Sequence, residues 1–99
     1  MKTINYKMAP AHSANAYKKY YQEGIDPGDF IRAVLANDLM SAVKRADPSN
    51  IKCLVEHVAF VYEELPFVCS GNLERVSKWM RSGGSATYVN VSAPLSRPN

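Results

Sequence analysis

Few side chains in this 99-residue chain are placed for chemistry. Cys53 and His57 stand four apart, the spacing that puts two side chains on one helical face, where an imidazole could lower a thiol pKa. A buried cysteine beside a packed histidine is the commoner meaning of such a pair, so a structural role is expected for both. Adding His12 or Cys69 would complete a zinc-type set, yet neither Cys-x-x-Cys nor His-x-x-x-His occurs. The expectation is therefore no metal and no cofactor. Gly-x-Ser-x-Gly, the phosphate-binding loop, the dinucleotide fingerprint and His-Glu-x-x-His are absent as well, which points away from an enzyme.

Three other groups of residues suggest binding rather than catalysis. Tyr17, Lys18, Lys19 and Tyr20 interleave rings with cations, as single-strand nucleic-acid binders do, and Arg75, Lys78 and Arg81 are further cations that folding could bring alongside. The plainer reading is an amphipathic helix with buried tyrosines and solvated lysines. Glu63 and Glu64 fall in the last turn before Pro66, where the helix dipole disfavours acids, and such local violations are enriched at interaction sites. Phe67 and Val68 put apolar bulk in a connection, either tucked beneath the fold or exposed as a patch for a partner. Glu63, Glu64 and Phe67 are the leading candidates for contact with a protein.

Composition sets the frame around these residues. An apolar fraction of 46% and a charged fraction of 21% suit one folded domain over residues 1–99, with an ordered core about 13–82. The net charge of +3 is unevenly spread. Lys2, Lys7, Lys18 and Lys19 against Glu23 leave residues 1–23 at +3, and Arg75, Lys78, Arg81 and Arg97 against Glu74 leave residues 70–99 at +3. Residues 24–69 carry four cations and seven acids, for −3. An acidic middle repels phosphate, so the basic total is not a nucleic-acid signature. With no apolar run of membrane length and no signal-peptide pattern in Met1–Met8, the expected location is the cytosol and no membrane partner is expected. Both cysteines are expected to be reduced.

The elements that must position these residues are mainly helical, giving an all-α, four-helix bundle-like domain. Ser13 to Glu23 reads as a first helix stopped by Gly24. Asp26-Pro27 opens a second segment whose stripe Ile31, Leu35, Leu39, Ala42 and Ala46 runs to Ala46, either continuous or divided where Asn37-Asp38 could cap a new helix. Asp47-Pro48 opens a third, with Ile51, Leu54, Val55, Val58, Val61, Tyr62 and Leu65 as its apolar face before Pro66. Gly71 to Arg81 gives a fourth, with Leu73, Val76, Trp79 and Met80 opposite Arg75, Lys78 and Arg81. The seam Ile51, Val55, Val58, Tyr62 and Leu65 is expected to pack on Ile31, Leu35 and Leu39 and on Trp79. Thr3–Met8 and Ala86–Ser92 alternate as short strands would, with disordered ends as the alternative.

One resemblance emerges from these segments. Asp26-Pro27-Gly28-Asp29-Phe30, Ala33-Val34-Leu35, Asn37-Asp38-Leu39 and Arg45-Ala46-Asp47, continuing through Pro66, Cys69, Gly71, Glu74, Val76 and Trp79, resemble a family of short proteins encoded in phages, prophages and other mobile elements. The match spans roughly Glu23 to Arg81 and departs at Ser70, where that family often carries a tryptophan. What it implies is context: a phage-derived protein acting without catalysis, by stoichiometric binding to a host protein or nucleoprotein complex. Inhibition of a nucleic-acid-guided defence complex, an anti-CRISPR role, is the leading expectation, and a small nucleic-acid-binding module is the alternative.

Overall fold

The computed structural model describes residues 3–85 and 87. Among them are six α-helices and no strand: α1 (Ala14–Glu23), α2 (Asp29–Leu35), α3 (Leu39–Arg45), α4 (Pro48–Lys52), α5 (Leu54–Glu64) and α6 (Leu73–Ser82). The fold is all-α, as the periodicity predicts. Two of the four expected helical segments are divided. Asn37 takes a left-handed conformation at φ 60°, and Asp38 then accepts the Ser41 amide at 3.1 Å, so a stop and a new N-cap lie side by side between α2 and α3. The Ser41 hydroxyl first, and its backbone amide second, hold the Asp38 carboxyl below its ordinary range. The other division falls at Cys53, whose φ of −116° and ψ of 25° bend the chain between α4 and α5.

Helix starts follow the sequence in part. Asp47 accepts the Asn50 amide at 2.8 Å with Pro48 at the first turn of α4, as expected. Asp26 does not cap a helix at Pro27. It accepts the Gly28 amide at 2.9 Å in a turn, and α2 starts only at Asp29, because Gly28 sits at φ 96° and bends the chain into it. Thr3–Met8 is no strand: Asn5 accepts the Lys7 amide and Tyr6–Met8 form a 3-10 turn, and among the described residues no strand supplies a ladder. The other expected strand, Ala86–Ser92, lies outside the described residues except for Thr87.

The core is aromatic. Tyr17, Tyr20 and Tyr21 from α1, Phe30, Ile31 and Leu35 from α2, Phe60 from α5, and Val76 and Trp79 from α6 are buried together with Leu65 and Cys69. The two tyrosine hydroxyls deepest in it are satisfied: Tyr20 donates to the Cys69 carbonyl at 2.7 Å and Tyr17 meets His57 Nδ1 at 2.7 Å. Burial pushes both phenols far above their ordinary pKa. The Gly71 amide ties the turn before α6 to the Leu35 carbonyl at 2.8 Å. At Gly84, φ is 89° and a Cβ would lie 2.4 Å from the Gln22 and Glu23 backbone, so the chain after α6 closes on the end of α1 where only glycine fits.

The expected seam is drawn on the wrong face of α5. Val55 is 80% exposed and Tyr62 79%, and Ile51, Val58 and Leu39 are exposed as well, whereas His57 and Phe60 are buried. Leu65 alone of that stripe is in the core. The apolar arc of α5 is wider than the side the core covers: at about 100° per residue, it runs from Phe60 through Val61 and Leu54 to Val58, Tyr62 and Val55. Tyr17, Tyr6 and Phe30 draw in its aromatic edge, with Tyr17 and Phe60 rings 4.7 Å apart and Phe30 edge-on to His57 at 4.9 Å. The aliphatic edge is left outside.

Candidate functional site

That uncovered edge gathers several of the large apolar side chains exposed among the described residues. Val55, Val58 and Tyr62 on α5 stand with Leu39, Met40 and Val43 on α3 and with Phe67, all exposed. Two adjoining depressions run beside α5, one against α2 and Phe67 and the other against α3. One of about 220 Å³ is lined by Val34, Leu35, Asn37, Val58, Val61, Tyr62, Leu65, Phe67, Ser70 and Gly71. The other, about 170 Å³, is lined by Val34, Asn37, Asp38, Leu39, Ala42, Leu54 and Val58. Val34, Asn37 and Val58 belong to both, so the two form one groove along the junction of α2 and α3. The left-handed turn at Asn37 makes it: it swings α3 aside and stops Leu39 from packing on α5.

The residues singled out for partner contact take three different places. Phe67 begins the 3-10 turn Phe67–Cys69, is 75% exposed and lines the groove, which resolves its two readings in favour of exposure, while Val68 packs against the core. Glu63 is exposed on the acidic flank of α5, with Glu56 seven residues before it and so on the same helical side. Glu64 is half-buried and accepts the Asn5 amide at 2.9 Å, which makes it a tether for the N-terminal segment.

The basic set divides as well. Tyr17 and Tyr20 are fully buried with their hydroxyls engaged, so neither ring offers a face to a base. Lys18 and Lys19 are exposed. On α6, Lys78 pairs with Glu74 at 3.5 Å, Arg75 donates to the Ser70 carbonyl at 3.3 Å, and Arg81 is exposed. A third depression, about 380 Å³, is ringed by Asp29, Asp38, Arg32 and Arg45. Its charges answer one another: Arg32 binds Asp26 at 2.7 Å and also Asp29, which Arg45 contacts at 2.9 Å.

One set that the spacing argued against is brought together by the fold. His12, Cys53 and His57 come together although residues 13–52 lie between the first two, with their ligating atoms all within 4.8 Å of one another. His12 is exposed, Cys53 half-buried and His57 has 0% exposure. Both imidazole Nε2 atoms point at the Asn50 side-chain oxygen, His12 at 2.8 Å and His57 at 3.2 Å. The Cys53 thiol donates to the Ser49 carbonyl at 3.2 Å, and its pKa is raised by burial and by Glu56, so the thiol is not activated as a nucleophile. His57 is driven the other way, down to about 4, by burial first and by His12 second.

The chain matches no protein-family model, and neither curated proteins nor solved structures give a significant match. Among the described residues no helix is long and apolar enough to cross a membrane. The fold and the surface therefore define the class: an all-α domain with an uncovered apolar groove beside an acidic flank.

Proposed function

We propose that this chain is a non-enzymatic interaction protein that acts by stoichiometric binding, with the groove between α3 and α5 as its contact surface. The observation that carries the reading is the exposure of Tyr62 and Phe67 together on one groove, each three-quarters or more exposed, with Val58 beside them. Isolated exposed apolar residues are ordinary, but a contiguous set of large ones lining a concavity marks contact with a partner. Glu56 and Glu63 border the ridge, so the partner of matching chemistry is a protein surface with apolar anchors flanked by lysines or arginines. Such basic surfaces are what nucleic-acid-guided complexes present, and this is the physical link to the anti-defence role that the phage resemblance suggests. The phage context itself rests on that resemblance alone.

Affinity capture from bacterial lysate, comparing the wild-type chain with Tyr62→Asp and Phe67→Asp, tests the reading. The expected result is a protein enriched by the wild type and lost with both variants, which remain folded because neither side chain is in the core. Equal capture by all three would place the contact elsewhere. The nucleic-acid reading loses its stacking rings, and Glu63→Lys distinguishes what remains of it: weakened capture fits a basic protein partner, whereas gained affinity for nucleic acid at low salt fits the alternative.

A further inference from the structure

We propose that His12, Cys53 and His57 form a binding site for a divalent transition metal of the zinc class, with Asn50 or water as the fourth ligand. Two imidazoles and one thiolate are the borderline-soft donors that Zn²⁺ takes, and three protein ligands with an open fourth position is one of its regular coordination patterns. The strongest geometric sign is the convergence of both Nε2 atoms on the Asn50 oxygen, at 2.8 and 3.2 Å. The Asn50 oxygen fills the point between the two rings, with the thiol beside them, so a cation entering there takes its place and Asn50 moves back to serve as the fourth ligand or yields to water.

The distances leave a short adjustment. Bonds of about 2.0–2.3 Å in a tetrahedron put ligand atoms roughly 3.5 Å apart, against the 4.8 Å within which these atoms now lie. His12 is exposed in the middle of the 3-10 turn Ala11–Ser13 and Cys53 sits at the bend between α4 and α5, so both side chains can close by that amount without disturbing the core. His57 is already oriented. Its Nδ1 contacts the Tyr17 hydroxyl at 2.7 Å, the kind of outer partner that fixes a ligating imidazole.

Binding changes the protons in a definite way. On binding, the His57 ring changes tautomer: the proton on Nε2, donated to Asn50 in the metal-free chain, is exchanged for one on Nδ1 that is donated to the Tyr17 oxygen, which frees the Nε2 lone pair for the metal. His12 likewise binds through a deprotonated Nε2. The Cys53 thiol gives up its proton to solvent and enters as thiolate, so one proton is released for each ion bound near neutral pH. The ion would link the start of α1 to the α4–α5 bend and to α5, segments otherwise joined here by side-chain hydrogen bonds.

The test uses the whole chain, stripped of metal by chelator and titrated with Co²⁺, which reports thiolate ligation by a charge-transfer band and tetrahedral geometry by its visible absorption. One Co²⁺ per chain is expected, displaced by Zn²⁺. Cys53→Ser should abolish the charge-transfer band while Cys69 remains, and His12→Gln should weaken binding by at least about tenfold. Neither residue is in the core, so circular dichroism should stay helical in both variants. A Co²⁺ spectrum without thiolate charge transfer, or one that survives Cys53→Ser, would overturn the site and leave His57 as a core histidine satisfied by Tyr17 and Asn50.

Discussion

The indole N–H of Trp79 is shared between two consecutive carbonyls at the end of α1, Tyr20 at 3.0 Å and Tyr21 at 3.1 Å, while its ring stacks on Tyr21 with centroids 5.4 Å apart. The Tyr20 carbonyl also accepts the Gly24 amide at 2.9 Å, so the indole adds a second bond there and reaches the Tyr21 carbonyl in the last turn, and α6 ties down the end of α1 as well as covering it. Trp79 has no exposed surface, and the contact it makes spans 59 residues of sequence. Replacing it with phenylalanine keeps one ring but removes the donor and part of the buried volume. Trp79→Phe should cost roughly 2–4 kcal/mol, read as a lowered midpoint in urea unfolding. An unchanged midpoint would show that the indole does not hold the two helices.

Two neighbouring positions on α5 test which of its faces is buried. Phe60 is 1% exposed, and Phe60→Ala should cost about 3–5 kcal/mol, a large share of the stability of a domain this small. Val58 is exposed at the groove, and Val58→Asp should cost only about 1 kcal/mol or less. Thermal unfolding of the two variants should therefore rank them in that order. The reverse order would place the core on the Val55, Val58 and Tyr62 face.

The third expectation concerns acid. With metals removed by chelator, His57 is neutral in the folded chain down to about pH 4, whereas unfolded it titrates near 6.5. Above 6.5 neither state is protonated at this ring and its full contribution is present. As pH falls from 6.5 toward about 4, the unfolded chain takes up a proton that the folded chain refuses, and stability drops by at most about 3 kcal/mol. His12 faces the ring from one side, with Tyr17 and Cys53 nearby. Imidazole NMR shifts decide the matter independently of the carboxylates: His57 should stay in its neutral form through pH 6, and a His57 that titrates near 6.5 would contradict its burial.

Local chemistry was readable in the chain, because caps and breakers act over three or four residues. Asp47-Pro48, Gly24 and Pro66 bound helices where their side chains and dihedral limits require it. The break at Asn37-Asp38 was present as an alternative, since the same residues suit a left-handed stop and an N-cap. Phe67 was visible as apolar bulk in a connection, though its exposure was not.

The sequence by itself determined that this protein is helical, roughly where its helices begin and end, and that its middle is acidic between basic ends. Only the tertiary structure decided which side of α5 is buried. Its apolar arc is too wide to choose a face on periodicity, and the choice falls to Tyr17, Tyr6 and Phe30, which come from elsewhere in the chain and take the aromatic edge. That rotation leaves Val58 and Tyr62 at the groove, and it carries His57 inward to meet Tyr17. The same folding brings His12 to Cys53 and His57, a proximity that spacing along one helix could never show, since the intervening chain, residues 13–52, must first turn back on itself.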